Sequence, residues 1–518
     1  MQNNFASWVL SHVDYNQDSP ILIDASDPDK TLSFNQLRSQ VQRLIAGLQA
    51  VGVRPGDCVC VNAFNSISYS VLYLGVIGAG AVFSGVNPSY SLHELVHHIK
   101  MVDAKLIVAE PSTQEKTLEA ANSCDLPTSS VYAFNCHNNV TRDDVRSWLS
   151  LLQYGEAYFE SCSNPDVTVA AYQTSSGTSG LPKAAMIPHS YLISQAQLRM
   201  ADENIDYRVS RLTALPPMHA FATPIIPASI RQGYPTYIMR RYNEADFIAA
   251  IERHQITETY LPPPPVISIP KSRLATQKAL ESLRQVWWGG ASVSYQNQTP
   301  FQKLLHEDGR LYPLWGMTEL GWISSRTWPE KHQGDSVGRP FKDFEVRVVD
   351  DDGHIIRKSN ISGELQIRAP YPMLGYIANP NADREVFGDD KDGRWVKSGD
   401  VGYIDEEGLI FIVDRKKDLI KVRGWQVSPA EVEGCIQQHP EVVDVGVIGV
   451  PDPIGTDEIV RAYIVRRCDS NLTRLDVSKH LAVILAGFKC PKEFIFTDFI
   501  PRNPTGKILR RLLREDIL

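Results

Sequence analysis

Residues 167–183 read VTVAAYQTSSGTSGLPK: an apolar run ends in a stretch of hydroxyl residues and glycines, and one lysine closes it. The apolar run has the composition of a buried strand, and the segment after it is a loop rich in small donors. Backbone N–H groups and hydroxyls can cradle phosphate oxygens, and a lysine adds a point charge. The commonest phosphate loop requires Gly-Lys followed by Ser or Thr. Here Gly180 is followed by Leu181, Pro182, Lys183 and Ala184, so that pattern is absent. A strand delivering a donor-rich loop therefore has to be interpreted from the rest of the chain.

Working outward, the same texture recurs from about residue 20 to 290. CVCVNAF (58–64) and LIVAE (106–110) are further buried-strand runs. Between them lie helical stretches such as TLSFNQLRSQVQRLIAGLQAVGV (31–53), where Leu37, Val41, Leu44, Ile45 and Leu48 recur at helical intervals. Ser33 and Gln36 have the spacing of a capping box, and Gly52 marks the stop. Strand–helix alternation predicts largely parallel sheets covered by helices. After about residue 340 the pattern changes to short alternating strands joined by Asp-Gly and Glu-Gly turns, predicting antiparallel or barrel-like structure. Beyond Arg415, a capping box at Ser428–Glu431 opens a helix, and the apolar runs DVGVIGV (444–450) and IVRAYIVRR (459–467) supply strands. The chain thus divides into a large unit, 1–414, and a small α+β unit, 415–518, joined at the charged stretch DRKKD (414–418).

Length and composition agree with this division. At 518 residues, with 43% hydrophobic and 22% charged, the chain is an ordinary globular protein too long for one compact core. Its net charge of -8, with basic residues dispersed, opposes a nucleic-acid face. Eight cysteines are scattered; Cys58 and Cys60 fall on one face of a strand as buried thiols, with no histidine at metal-ligand spacing. The uncharged run from Cys58 to Leu92 is broken by glycines and reads as a buried helix, a turn and a strand, not a membrane span. The start carries no secretory signal, and the last residues, DIL, are not the Ser-Lys-Leu peroxisomal address, leaving the cytoplasm as the default compartment.

Five collinear segments decide the question opened by the loop. YQTSSGTSGLPKAAMIPHSYL (172–192), LWGMTE (314–319), WVKSGDVGYID (395–405), DRKKDLIKVRGWQVSPAEVE (414–433) and PRNPTGKILRR (501–511) resemble the motifs of the adenylate-forming superfamily, which includes acyl-CoA synthetases and luciferase. The likeness is greatest to the coumarate–CoA ligase and luciferase branch. The resemblance implies an α/β fold: a large domain of two parallel-rich sheets with a small barrel-like part, then a smaller mobile domain hinged near Lys417. It also implies a two-step reaction. A carboxylate attacks the α-phosphate of ATP to give an acyl-adenylate and pyrophosphate, and the thiol of coenzyme A then displaces AMP. Such chemistry rests on positioning and charge neutralisation, with Mg²⁺ as the metal.

Carried over residue by residue, the resemblance assigns Thr174, Ser175, Ser176, Gly177, Thr178 and Lys183 to the β- and γ-phosphates. Trp315 would stack on adenine where many relatives have tyrosine, beside Gly316. Thr318 would bond the α-phosphate and Glu319 would hold Mg²⁺, a hard ion suited to a carboxylate and phosphate oxygens. Asp400 matches the ribose ligand, and Arg415 a second ribose or phosphate contact. Lys507 would bridge the carboxylate and the α-phosphate during adenylation. It precedes an apolar-periodic helix, a place the helix dipole makes unfavourable for a cation. His219 would meet the carboxylate or α-phosphate. Lys421, Arg423, Gly424 and Gln426 fall on family positions: Lys421 and Gln426 would serve AMP and the closure of the site, and Gly424 would let the backbone approach pantetheine.

The chain also departs from the pattern. Leu314 stands where coumarate–CoA ligases have a glycine at the floor of the acyl pocket, and Pro313 replaces a glutamine. Phe221 and Ile225 replace hydroxyl residues. With Val266–Ile269, Gly289 and Gly290, these predict an apolar acyl pocket without a charged anchor, suited to an aryl or short-to-medium aliphatic acid. The resulting expectation is an ATP-dependent acyl-CoA ligase. The alternatives are transfer of the acyl group to a carrier protein, luciferase-like oxidation of the adenylate, and a silent adenylate-binding scaffold. A dinucleotide oxidoreductase lacks its Gly-x-Gly-x-x-Gly signature.

Overall fold

The structure is a computed structural model describing residues 4–135, 145–175, 182–201, 205–331, 334–388, 394–422, 425–452, 458–503 and 506–515. Its local signals are those read from the sequence. Helix Phe34–Ala50 begins at Ser33 with both hydrogen bonds of the capping box in place, and it ends two residues before Gly52, whose φ is 92°. The uncharged run becomes helix Ile67–Gly78, a turn, and strand Val82–Gly85. No helix among the described residues is long and apolar enough to cross a membrane. Ser428 caps helix Pro429–Gln437 by accepting from the Glu431 N–H, but the Glu431 carboxylate is turned outward to Lys489, so only half of the predicted box forms.

Two parallel-rich sheets organise the large domain. One is six-stranded among the described residues, in the order Val131–Ala133, Ala104–Ala109, Cys58–Asn62, Val82–Gly85, Val169–Ser175, Lys183–Pro188. All its neighbours are parallel except the last pair, which is antiparallel with Ser175 opposite Lys183. The other is nine-stranded and parallel through its centre, where Glu258–Leu261, Gln285–Gly289 and Arg310–Met317 lie side by side. Their buried faces carry large aliphatic and aromatic clusters, as expected of sheets covered on both faces, with a buried polar group at Arg211, Glu258 and Gln285 in the nine-stranded sheet.

The strands after residue 340 form a five-stranded antiparallel sheet ending in the hairpin Val396–Ile404 and Ile410–Arg415. The small domain packs helices Pro429–Gln437 and Arg474–Ala482 on a three-stranded sheet with its own core. The predicted helix after Lys507 is short, Arg510–Arg514, so Lys507 lies in a turn ahead of it, not in its first turn.

Candidate active site

The cleft between the domains is built from strand ends. In the hairpin Val396–Ile404 and Ile410–Arg415, Asp400 and Arg415 are direct cross-strand partners, so Arg415, expected to open the small unit, is instead the last residue of the large domain's sheet. The register brings the Arg415 Nε 2.8 Å from Asp400 Oδ1. The second oxygen of Asp400 accepts the indole N–H of Trp315 at 2.8 Å. Trp315 sits near the end of strand Arg310–Met317 and is buried, so both oxygens of Asp400 are held before any ligand arrives.

Lys507 reaches the same place from the small domain. Burial and the guanidinium and ammonium of Arg415 and Lys417 push its ammonium down to about 8, opposed by Asp400 and Asp418. It lines two cavities. One, about 940 Å³, is bounded also by Gly290, Leu314, Trp315, Gly316, Asp400 and Arg415. The other, about 1040 Å³, is bounded by Thr174, His219 and Lys417. Burial lowers Lys417 as well. Lys507 therefore stands at the junction of a region with an aspartate–arginine pair and a region that reaches the donor-rich strand end.

His219 follows Pro216, whose carbonyl accepts its backbone N–H at 3.1 Å. Burial depresses its imidazole to about 4, so it is neutral near pH 7. Its carbonyl accepts from the Thr223 hydroxyl, which in turn accepts from Gln173 on the neighbouring strand. Thr174 follows Gln173 and lines the second cavity together with Tyr90. Ser176, Gly177 and Thr178 lie outside the described residues, as do Arg423 and Gly424.

A tyrosine that the sequence did not single out organises the other end. Tyr376 donates its hydroxyl to Glu319, and the Lys183 ammonium lies 5.5 Å from its ring centre. Burial and Glu319 push the Tyr376 phenol far up, so it remains a donor. Lys183 also lies 3.8 Å from Glu385. Glu319 is buried, beside Thr318, whose carbonyl accepts from Tyr191. No cluster of three metal-ligating side chains among the described residues includes Glu319. A lone buried carboxylate with one oxygen committed to Tyr376 fits an ion that takes one protein ligand and completes its shell with phosphate oxygens. The local signal for Tyr376 was slight: segment 373–377 bonds the backbone of 184–186, a contact no nearby motif announces.

The predicted acyl-pocket residues divide. Leu314 and Gly290 line the first cavity, and Gly289 lets two strands approach, because a Cβ there would lie 2.6 Å from the Leu314 carbonyl oxygen. Phe221 and Ile225 line neither cavity and pack with Leu314 into an aromatic cluster of Tyr260, Trp287, Tyr312 and Trp322. Within it Tyr260 stacks on Trp287 at 5.3 Å. Of Val266–Ile269, Ile267 lines the first cavity while Val266 and Ile269 enter the core. Charge stands one layer behind: Arg199 lies 4.2 Å over Trp287, bonds the Tyr260 hydroxyl, and shares Glu258 with Arg211. Lys421 and Gln426 are exposed on the hairpin Ile420–Val422 and Trp425–Val427, lining neither cavity in this arrangement.

Comparison with known proteins agrees with this geometry. Residues 11–377 match the AMP-binding enzyme family and residues 431–507 its C-terminal domain. The chain is 38% identical to the acyl-CoA ligase azaF of Aspergillus niger, over 98% of this chain and 97% of that protein. It is equally 38% identical to the phenylacetyl-CoA ligase epaB of the same species, over 98% and 96%. ATP-bound MatB from Rhodopseudomonas palustris superposes with a TM-score of 0.88 at 25% identity, covering 100% of this chain and 99% of that one. The chain belongs to the AMP-binding enzyme family and is an AMP-forming acid–CoA ligase.

Proposed function

We propose that the acid is compact, an aryl or short-chain carboxylic acid, activated by ATP as its adenylate and passed to coenzyme A. The observation that carries the two-step reading is the meeting of Lys507, from one domain, with the Asp400–Arg415–Trp315 group of the other. Asp400, an anionic acceptor fixed from two sides, suits the paired hydroxyls of a ribose. Lys507, partly desolvated, supplies a cation whose attraction for a developing phosphate charge is strengthened by its dry surroundings. Thr174, Ser175 and Lys183 would hold the leaving pyrophosphate. Glu319 would hold Mg²⁺, whose contribution is to neutralise charge on the phosphate oxygens. Neutral His219 offers a hydrogen bond to the carboxylate or the α-phosphate without adding a charge.

Acid size follows from packing. Phe221, Tyr260, Trp287, Tyr312 and Trp322 fill the space beyond Leu314, which favours a flat or short acyl group over an extended chain. Arg199, Arg211 and Glu258 are buried and bonded to one another, and none of them lines either cavity, consistent with a pocket lacking a charged anchor. The likeness to a phenylacetyl-CoA ligase points the same way.

Pyrophosphate release from ATP and Mg²⁺ across phenylacetate, benzoate, hydroxycinnamates, hexanoate and palmitate, with and without CoA, tests both statements. Multiple turnovers that require CoA and favour compact acids are expected. Turnover of hydroxycinnamates alone, or of palmitate best, would refute the size argument. Release that stalls after a single equivalent with or without CoA would assign the acyl group to a carrier protein instead.

A further inference from the structure

Four consecutive prolines, 262–265, take no part in the chemistry above, yet they border it. Pro262 is extended, with φ -72° and ψ 166°, and Pro263 begins the short helix Pro263–Ser268. This geometry alternates the rings: Pro263 and Pro265 are buried in the large domain, while Pro262 and Pro264 are left partly exposed on the cleft. Gly506, the residue before Lys507, covers that exposed pair. It is buried with φ +81°, and a Cβ on it would lie 2.7 Å from Pro264 Cδ and 3.5 Å from Pro262 Cβ. The backbone carrying Lys507 thus rests directly on two proline rings of the other domain.

Each of the two surfaces in contact is held by its own domain. On the small-domain side, the Gly506 N–H donates to the Asn503 carbonyl and the Asn503 N–H to the Lys507 carbonyl, each at 2.9 Å. The Lys507 N–H donates to the Asn503 side chain, also at 2.9 Å. Arg502 donates to the Gly506 carbonyl at 2.6 Å and is itself held by Asp444 at 2.7 Å. These fastenings all lie within the small domain, so the turn travels with that domain as a unit. On the large-domain side, proline rings fix φ and carry no N–H. They present a hard wall that meets Gly506 by van der Waals contact alone.

We propose that Pro262 and Pro264 are positioning residues for adenylation: they act as a stop that sets how far Lys507 enters the cleft. A wall without donors suits this task. It fixes depth by shape, loses little entropy because it is already rigid, and leaves no directional hydrogen bond to break when the small domain must leave for the thiol step. The inference rests on the two-step reading above. In that reading Lys507 is needed for the first half-reaction and the contact is dispensable in the second.

The experiment measures the two half-reactions separately in the full chain. Adenylation is followed as pyrophosphate released in a single turnover without CoA, using phenylacetate first and otherwise the best acid of the panel. Thioester formation is followed from the corresponding synthetic acyl-adenylate and CoA. Pro264→Phe should push Gly506 outward and slow adenylation by about a hundredfold, the scale of an ångström-sized misplacement of a catalytic group. Pro264→Ala, which removes the stop without adding bulk, should slow it by a smaller factor. Both variants should make thioester at the wild-type rate. Equal loss of both half-reactions, or no loss in Pro264→Phe, would overturn the stop while leaving the proposed function standing. A wild-type chain that adenylates none of the acids would overturn the proposed function, and this inference with it.

Discussion

Replacing Trp315 with phenylalanine would keep an aromatic ring at the end of its strand and delete one atom group, the indole N–H that donates to Asp400 at 2.8 Å. Asp400 would keep its bond to Arg415 at 2.8 Å but lose the contact that fixes its other oxygen. A hydrogen bond to a charged group contributes about 1.5–3 kcal/mol, and each 1.4 kcal/mol is about tenfold in affinity. Only the part of that energy spent on orienting Asp400 toward a ligand appears in ATP binding. We therefore expect the KM for ATP to rise about tenfold with kcat little changed, the pattern of lost uniform binding. The decisive assay compares ATP with 2′,3′-dideoxy-ATP in both proteins. If Trp315 acts through Asp400, the wild type should discriminate against the dideoxy nucleotide and Trp315→Phe should discriminate much less. An unchanged ratio of the two KM values would refute the argument, even if both values rose, because the tryptophan would then be acting on adenine alone.

The remaining expectations come from other contacts. In the free enzyme Lys507 loses its proton near pH 8, because burial, Arg415 and Lys417 all disfavour the ammonium. The kcat/KM for ATP–pyrophosphate exchange should thus fall as pH rises through about 8, and Lys507→Arg should remove that limb from whatever activity it retains. Tyr376→Phe removes the donor that orients Glu319 and should raise the Mg²⁺ concentration needed for half-maximal adenylation about tenfold, measured by Mg²⁺ titration at fixed ATP. Glu258→Gln leaves Arg199 and Arg211 buried without their shared carboxylate and should cost about 3–5 kcal/mol, read as a lower urea midpoint for the large domain.

Local chemistry was legible wherever the deciding partners are close in the chain. Ser33 and Gln36 lie within one helical turn, so the cap could be read directly and forms as expected. Asp400 and Arg415 flank a Glu-Gly turn, and a hairpin register is enough to oppose them. Glu431 shows where even this fails, since Lys489, distant in sequence, draws its carboxylate away from the helix cap. The same limit hid Tyr376. Its value comes from reaching Glu319, 57 residues away, and nothing in its own segment encodes that contact. The Arg199–Glu258–Arg211 group was equally silent, because three charged residues scattered over a sequence look like surface until the sheet gathers them inside.

The site's central relation is of the same nonlocal kind, and it explains why residues that are individually recognisable do not by themselves describe a working cleft. Trp315, Asp400 and Arg415 belong to one domain and could be fixed once, by ordinary packing and strand pairing. Lys507 belongs to the other, and the hydrogen bonds that join the domains beside Arg415, from Ser428 and Ala430 to Asp414, are made by another part of the small domain than the segment that carries Lys507. A flexible meeting of the domains would leave that distance spread over several ångströms, and a phosphoryl-transfer step that depends on positioning would suffer accordingly. A glycine turn seated on a proline edge narrows the spread without binding tightly. Stiffness in both partners, with weak adhesion between them, is what a domain needs if it must reach one position accurately and then give it up. That demand accounts for a run of prolines beside an active site to which it contributes no chemistry.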